Sequence, residues 1–533
     1  MSVSAALPGI TPPGRPAPAA RPAQRFDAAR VFTFVVMVFG MFMAILDIQI
    51  VSASLAEIQA GLSASSDEIT WVQTSYLVAE VVMIPLSGYL SRALSTRVLF
   101  SMSAAGFTLM SLMCAHASSI EEMIVYRALQ GFIGGAMIPT VFASAFTIFP
   151  PDKRSVVSPV IGLVATLAPT IGPTCGGYLT DIFSWHWLFL INIVPGIFIA
   201  VVTWFTIDFD TPDYSLLKKF DFVGLLSLAA FLGALEYVLE EGPNKNWFEE
   251  DVIVWGALVS AIGAIVFFWR AFASKNPVVE LRIVNRNFWS GCALSFTMGV
   301  GLYGLTYLYP VYLSRVRGLS ALQIGETLFV SGIVMFLCAP IAGKLAAKID
   351  ARYMIGFGFL SFGAGAFMAS DITKDWSFWE LLVPQVLRGS GMMLGMVAIN
   401  SVALGALPEK DMKNAAGLFN LTRNLGGAVG LAIINTLLNY RMDLHLARLH
   451  ERVTWSSDRA MNWFSTLTGA FASRGSDAET AALKQMASFV RREAMVMALG
   501  DTFFFVAILF VSMVVVLPFV KKPPMIGEAP EGH

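Results

Sequence analysis

Long apolar segments recur along the whole chain, and they restrict its fold more than any other feature. Crossing about 30 Å of hydrocarbon takes about 20 mostly apolar residues, and fourteen segments of this kind can be distinguished. They begin near Val31, Ile69, Val98, Met123, Val156, Trp187, Phe222, Val252, Phe288, Ile324, Tyr353, Trp379, Ala415 and Ala498. The pattern predicts an all-α polytopic membrane protein with fourteen transmembrane helices.

The composition agrees with a lipid environment. Of 533 residues, 56% are hydrophobic and 14% are charged, whereas soluble domains contain about 25% charged residues. The net charge of -1 gives no indication of a nucleic acid partner. All four cysteines lie inside apolar segments without metal-ligand spacing, so we predict packing roles for them and neither a metal site nor a cofactor.

The distribution of basic residues predicts the orientation. Residues 1–30 are rich in Pro and Ala and are expected to form a disordered tail rather than a cleaved signal peptide. An even number of spans places both termini on one side, and the short loops and tails of that side carry most of the Lys and Arg. The short loops of the other side carry Lys245, Arg315, Arg317 and Lys374. The positive-inside rule therefore predicts that both termini are cytoplasmic.

An internal repeat divides the chain into two halves. Pro85, Gly88 and Leu90 recur as Pro340, Gly343 and Leu345, each at an offset of 255 residues. A second pair of similar segments is RALQGFIGG from Arg127 and LRGSGMMLG around Arg388. Such repeats are typical of two tandem halves. The predicted units are a six-helix bundle at 31–207, two additional helices with linkers at 208–286, a second six-helix bundle at 287–520 and a cytoplasmic tail at 521–533. Within the second bundle, residues 440–497 are too polar to span and are predicted to be an exterior loop with helical spacing.

Charged residues inside spans are the first candidates for function, because burying them in a bilayer is costly. At about 1.5 Å per residue, Asp47 lies about 25 Å along the first helix and Arg127 lies about 6 Å below the outer end of the fourth. We therefore predict that Asp47 and Arg127 form a pair or network in the outer half of the first bundle. Glu80 lies nearer to mid-membrane. Desolvation penalises the charged form of such carboxyl groups, which suits proton exchange near cellular pH.

Each candidate also has a structural interpretation. Asp47 and Arg127 could form a stability pair that never exchanges a proton, and Glu80 could be a packing residue. For Arg388 and Arg423, in the second half, packing or gating is the preferred interpretation. Glu236 lies near the exterior end of an added helix, where snorkelling is cheap, and we do not select it.

The fifth span is unusually rich in glycine and proline. Gly172 and Gly176 form a small-xxx-small face that permits close helix approach, and the prolines remove backbone hydrogen bonds and bend the span. The positions concerned are Gly162, Pro169, Gly172, Pro173, Gly176 and Gly177. These features suit a moving interface, while a merely close-packed helix explains the glycines but less well the dense Pro and Gly run.

On these residues the chain resembles the major facilitator superfamily, and within it the fourteen-helix drug/proton antiporter branch of the EmrB/QacA type. The GPxxGG motif is present at Gly172, Pro173, Gly176 and Gly177. The RxxQGxxGG pattern of the fourth helix is present as Arg127, Gln130, Gly131, Gly134 and Gly135. LDxxIV occurs from Leu46 to Val51, and the outer SWRW-like loop occurs as Ser184, Trp185, His186 and Trp187.

The resemblance implies two six-helix bundles that alternate access, with Asp47 and Arg127 in proton coupling and the fifth helix as a gate. It implies proton-driven export of hydrophobic or amphiphilic compounds such as drugs across a bacterial inner membrane. A periplasmic adaptor and an outer-membrane channel are possible partners of the 440–497 region, although a loop without a partner fits it nearly as well. Two departures stand out: the loop GYLSRALSTR has Arg92 in place of an acid and Ser95 in place of the second glycine, and His186 replaces an arginine.

Other functions share part of this pattern. A proton-coupled transporter of one specific metabolite would carry almost all of the same features, because a fold does not fix a substrate. A membrane enzyme is disfavoured, since the chain lacks HExxH, GxSxG, a Walker loop and clustered His/Cys ligands. A receptor or scaffold would not need buried acids.

Overall fold

A computed structural model of the chain describes residues 28–149, 154–274, 276–282, 286–405, 407–472 and 477–520, and within these ranges the regular structure is helical. The predicted tails lie outside the described residues, except that the first helix begins at Ala28 rather than after residue 30. Several basic residues that predicted the orientation also lie outside them: Arg15, Arg21, Arg25, Lys153, Lys275, Lys521 and Lys522.

Each of the fourteen predicted segments contains a helix, which we number α1 to α14. The first seven are α1 (Ala28–Ala53), α2 (Ser66–Leu94), α3 (Thr96–Ala115), α4 (Ile120–Gly134 and Met137–Ile148), α5 (Arg154–Ile182), α6 (Trp187–Leu190 and Ile193–Thr206) and α7 (Phe222–Glu241). The others are α8 (Asp251–Ala273), α9 (Arg286–Val311), α10 (Ala321–Ala346), α11 (Ala351–Ala369), α12 (Phe378–Leu404), α13 (Glu409–His450) and α14 (Ala478–Met513). Two shorter helices, Leu55–Leu62 and Asp458–Ala470, lie between them.

Most of these helices can cross a membrane. In the described part of the chain, 12 are long and apolar enough, or 13 when the bent α5 is counted as one span. The remaining helix, α11, has 19 residues, and its apolar character is diluted by Arg352 and several glycines. The chain is thus a multi-pass membrane protein.

Helix packing relates the two halves of the chain. Within the first half α1 packs against α5 and α2 against α4, and within the second half α9 packs against α13 and α10 against α12. The two most extensively packed pairs between the halves are α5 with α10 and α2 with α13. By the repeat, α2 corresponds to α10 and α5 to α13, so the two joining pairs are equivalent. We call them the α5–α10 seam and the α2–α13 seam.

The added helices cover one of these seams. α7 packs against α8 and also contacts both α2 and α13. On the α2 side, the rings of Trp71 and Tyr237 stack with centroids 5.1 Å apart. Beyond the end of α7, the Trp247 indole donates a hydrogen bond to the hydroxyl of Thr436 on α13 at 2.9 Å. The α7–α8 pair is therefore attached to both halves.

Residues 440–497 are largely helical, in agreement with their predicted helical spacing, and their exterior position stays a prediction. α13 has 42 residues and runs on to His450, and α14 has 36 residues and starts at Ala478. The helix Asp458–Ala470 packs against α14. Apolar residues such as Val453, Ala460, Met486 and Val490 line a shared cleft between these elements, so packing stabilises helices whose outer surface is polar.

Candidate functional site

Asp47 and Arg127 form an ion pair in the interior of the first bundle. The Arg127 guanidinium donates to the Asp47 carboxylate at 2.6 Å, and both side chains are completely buried. α1 supplies Asp47 and α4 supplies Arg127, so the structure brings the two residues together at the predicted shared depth. An unpaired charge at this position would be strongly destabilised.

Two amides complete the coordination of the carboxylate. Asn192 of α6 donates to Asp47 at 2.7 Å, and Gln130 donates to it at 3.3 Å. The Asn192 amide also donates to the hydroxyl of Ser111 on α3 at 3.1 Å. Sequence reasoning missed Asn192 and Ser111, although an asparagine within the apolar run LFLINIVPG was an available signal. The network around this carboxylate thus joins four helices, α1, α3, α4 and α6.

Further contacts hold the arginine in place. Arg127 donates to the backbone carbonyl of Val72 at 3.2 Å and to the side-chain oxygen of Gln130 at 2.8 Å. Its guanidinium carbon lies 4.2 Å from the centre of the Tyr76 ring on α2, a cation–π contact. Arg127 therefore links α4 to α1 and α2 at once.

Glu80 lies apart from this network. Its side chain on α2 is buried, and no hydrogen bond or ion pair in the described ranges reaches its carboxylate. It lies within Coulombic range of Arg127 and Asp47 in its own half, and of Arg423 across the α2–α13 seam. Glu80 is thus placed between the buried ion pair and the opposite half.

The two arginines of the second half make mainly local contacts. Arg423 donates to Asn420 at 2.6 Å, and its guanidinium carbon lies 5.1 Å from the Phe142 ring of α4. Arg388 donates to Thr306 at 2.9 Å and lies 5.5 Å from the Tyr309 ring. Arg423 therefore bridges the halves, whereas Arg388 stays within the second half.

The glycines of α4 permit close packing. The backbone of Tyr76 on α2 occupies the space where a Cβ of Gly131 would lie. A Cβ at Gly134 would come within 2.6 Å of the Phe107 ring on α3. These glycines therefore let α4 approach α2 and α3 closely, next to the turn that carries Arg127 and Gln130.

α5 is bent and closely packed. Its segments Pro159–Pro169 and Ile171–Ile182 meet at 44°, as expected where Pro169 and Pro173 interrupt the hydrogen-bond ladder. Gly172 packs against Gln49, and a Cβ at Gly176 would come within 2.7 Å of the Ile50 carbonyl oxygen.

The α5 glycines face two different partners. Gly172 and Gly176 pack against α1, as described above, while Gly162 faces Met393 and Met396 of α12 in the other half. α5 therefore couples α1, which carries Asp47, to the opposite bundle.

A cavity of about 470 Å³ lies between the halves at the end of the molecule away from the chain termini. Residues from both halves line it: Ile48, Gln49, Ser52, Leu55, Thr70, Gln73, Thr74, Leu77, Pro173, Glu240, Glu241, Asn244, Tyr303, Thr306, Tyr307, Pro310, Val311, Ser314, Arg315 and Leu431. Ile48 and Gln49 follow Asp47 directly on α1, so the cavity and the ion pair share one turn of helix.

At the opposite end of the molecule the halves are in contact. Lys413 of α13 forms an ion pair of 2.5 Å with Asp210, in the segment that follows α6, and also donates to the carbonyl of Ser91. Asp210 additionally accepts from the backbone and hydroxyl of Thr96 at 2.7 Å each. The cavity is therefore closed towards the termini and open away from them.

The departures from the family pattern can be described in the same terms. Arg92 stands where the family pattern has an acid, and Asp210 supplies an acid to the same loop from another part of the chain. Ser95 has φ 79° and ψ 156°, a conformation adopted almost only by glycine. The His186 ring stacks on Trp185 at 3.7 Å, and burial, with a smaller contribution from His116, lowers the pKa of His186. His186 is therefore neutral at pH 7 and does not reproduce the charge of an arginine.

The described residues contain no group of three or more His, Cys, Asp or Glu side chains that could hold a metal ion. Two helical halves joined by equivalent seams, with a cavity between them and an ion pair beside it, define a polytopic membrane transporter. A family model described as Major Facilitator Superfamily matches residues 37–431.

Individual relatives agree with this match. The "Colistin resistance protein EmrB" of Acinetobacter baumannii is 41% identical over 496 residues, covering 91% of this chain and 95% of that protein. The "Multidrug export protein EmrB" of Escherichia coli K12 is 28% identical over 499 residues, covering 93% and 96%. Among solved structures, the human organic anion transporter MFSD10 (TETRAN) covers 91% of this chain and 100% of its own, with a TM-score of 0.58 and 13% identity, a likeness of fold alone.

The chain belongs to the Major Facilitator Superfamily and, within it, to the branch of the EmrB proteins. The resemblance predicted from the sequence motifs is thus confirmed. The chain is a transporter rather than an enzyme.

Proposed function

We propose that this chain is a proton-driven antiporter that exports hydrophobic or amphiphilic compounds, such as drugs, across the inner membrane by alternating access. The observation that carries the proposal is the buried Asp47–Arg127 pair, on the same helical turn as residues that line a cavity between the halves. Relatives named for multidrug export and colistin resistance support the direction and the class of substrate.

The contacts suggest how protons and substrate are coupled. Protonation of Asp47 weakens its charge-assisted bonds to Arg127 and Asn192. The adjoining Gln49 lines the cavity and packs against Gly172 of α5, so a shift of α1 changes both the cavity and the α5–α10 seam. Glu80, near Arg423 at the other seam, is the second candidate proton carrier. Proton entry from outside then releases substrate there and drives export.

The first test measures efflux of a fluorescent lipophilic dye from cells that lack their own pumps, with and without a protonophore. Asp47→Asn removes the titratable group and keeps its shape, so we expect export to be abolished. Asp181→Asn, at the exposed end of α5, is the matched control and should export normally. Protonophore-sensitive export by Asp47→Asn would assign Asp47 to stability and direct the search to Glu80→Gln.

The main alternative is a proton-coupled transporter of one specific metabolite. It predicts the same dependence on Asp47, with export restricted to one compound in a panel of unrelated amphiphiles. A membrane enzyme or a receptor is not supported, given the family of the chain.

We also propose that both termini are cytoplasmic and that the extensions of α13 and α14 bind a periplasmic adaptor that leads to an outer-membrane channel. Together with the helix Asp458–Ala470, the extensions enclose an apolar cleft of about 210 Å³. Trp455, in the wall of this cleft, is 69% exposed. An exposed tryptophan beside an apolar cleft is typical of a contact surface for another protein.

Cross-linking in native membranes tests the adaptor. Trp455→Ser together with Leu483→Ser, both in the cleft wall, should abolish the adaptor adduct. Phe248→Ser, an equally exposed apolar residue on a different exterior loop, should leave it intact. Identical adducts from all variants would exclude this surface. A protease-sensitive tag on either terminus, cleaved only from the cytoplasmic side, tests the orientation.

A further inference from the structure

The outward cavity has an acidic wall formed by α7, one of the two helices that the duplicated halves do not supply. Glu240 and Glu241 line the cavity directly. Glu236 lies one turn earlier on the same helix and is 7% exposed, so the expectation that it snorkels to the interface is wrong. Glu241 is 6% exposed. The acids of α7 therefore face inward, although the helix lies at the edge of the molecule.

These carboxylates have no partners among the described residues. Within the described ranges, no hydrogen bond or ion pair reaches the side chain of Glu236, Glu240 or Glu241. Glu236 and Glu240 are four residues apart, a spacing at which like charges on a helix repel. Buried charges in membrane helices are normally paired. An unpaired acid that lines a cavity is therefore available to a ligand.

The remainder of the wall is suited to a large apolar body. Tyr303 and Tyr307 of α9 present aromatic rings, and Leu77 and Leu431 add aliphatic surface from the α2–α13 seam. The basic residue of the wall, Arg315, is exposed and makes no ion pair with the α7 acids in the described structure. Aromatic faces and carboxylates together attract a cation.

We propose that the α7 wall makes this cavity a binding site for cationic amphiphilic compounds, with Glu241 and Glu240 as the groups that contact the positive charge. The proposal rests on the proposed export function and names the class of substrate. Because α7 is attached to both α2 and α13, the acids stay at the mouth of the cavity while the halves move. A cation that leaves this cavity therefore passes these acids on its way out.

Binding to the purified full-length protein tests the proposal. The probes are tetraphenylphosphonium, a lipophilic cation, and Nile Red, a neutral lipophilic dye. We expect Glu241→Gln, and to a lesser degree Glu240→Gln, to weaken tetraphenylphosphonium binding about tenfold, the typical contribution of one charge-assisted contact. Nile Red binding should stay unchanged. Glu249→Gln and Glu250→Gln remove exposed acids just beyond α7 and serve as matched controls.

The outcomes separate this inference from the proposed function. Unchanged tetraphenylphosphonium binding in Glu241→Gln, or an equal loss for both probes, overturns the acidic site. If the wild type exports Nile Red from cells but neither binds nor exports the cation, the export function stands and the inference fails. If the wild type exports neither probe but binds the cation through Glu241, the export function fails. Should Glu241→Gln not fold, Glu241→Asp keeps the charge and should retain the preference for the cation.

Discussion

Asp47 and Arg127 depend on each other, because each is buried without access to water. Arg127→Gln removes the positive charge and leaves Asp47 with amide donors alone, so we expect about 3–5 kcal/mol of destabilisation. Asp47→Asn combined with Arg127→Gln replaces the ion pair by neutral amides, and most of the lost stability should return. Export should remain absent in the double variant, since no titratable group is left at the site.

Thermal unfolding of the four purified proteins, paired with dye efflux, measures this cycle. Independent effects of the two substitutions on unfolding would contradict the pairing. Recovery of both stability and export in the double variant would show that the ion pair has no part in proton coupling.

Ser95 gives a prediction in which the substitution stabilises the protein. Its φ of 79° is strained for a residue with a side chain, and Ser95→Gly should relieve about 1 kcal/mol of that strain after the loss of a weak cap to Val98. Ser95→Ala keeps the Cβ and loses the cap, so it should destabilise. The melting temperatures should rank Gly above Ser and Ser above Ala; any other order would contradict the strained backbone.

Among the helices, α5 combines the bend with the closest packing against α1. A methyl group at Gly176 would collide with the Ile50 carbonyl, so Gly176→Ala should cost about 1–3 kcal/mol and reduce export strongly by separating α5 from α1. Gly469→Ala is the control, because a Cβ there meets no atom within 4 Å. Thermal unfolding and efflux provide the two readouts, and normal export by Gly176→Ala would argue against an α1–α5 coupling.

Hydropathy predicted the starts of most helices correctly, but not those of helices that are stabilised by packing rather than by an apolar composition. Apart from α13 and α14, every helix starts within a few residues of the predicted start of its span. Those two begin six and twenty residues earlier than predicted, at Glu409 and Ala478. The segment 440–497 has a polar outer face, so its average hydropathy is low. Packing contacts, such as those of Met486 in the cleft, do not change that average, and hydropathy therefore does not detect the helices that they stabilise.

The arrangement of the whole molecule sets how much of the site could be predicted. Asp47 and Arg127 could be paired from helix depth alone, since both are charges inside apolar runs. Asn192 stood out as an amide in an apolar run, but its partner could not be identified before the helices were packed. Asp210 could not be predicted at all, because an acid in a linker has meaning only in the packed structure. Glu241 was missed for the same reason: whether the end of α7 faces lipid or a cavity depends on its attachment to both halves.

The Asp210–Lys413 ion pair joins the two halves at the closed end, and this leads to a prediction about conformation. Lys413→Ala removes the charge and the bond to Ser91, so the closed end should open more often and the state described here should become less populated. A partly exposed ion pair contributes about 1 kcal/mol. Its loss therefore changes the ratio of the state with this end closed to the state with it open by several-fold. Lys413→Asp with Asp210→Lys should restore part of the original ratio.

The measurement is the rate at which a cysteine introduced at Ile84, beneath this contact, reacts with a thiol reagent added from the side of the termini. The background lacks the four native cysteines. Labelling should accelerate in Lys413→Ala and slow again in the charge-swapped variant. Arg352→Ala is the control, since its ion pair with Asp350 at 2.8 Å lies at the start of α11 and joins no halves. Equal labelling in Lys413→Ala and the parent would mean that backbone contacts, such as that of Gly88 with Lys413, keep this end closed without the ion pair.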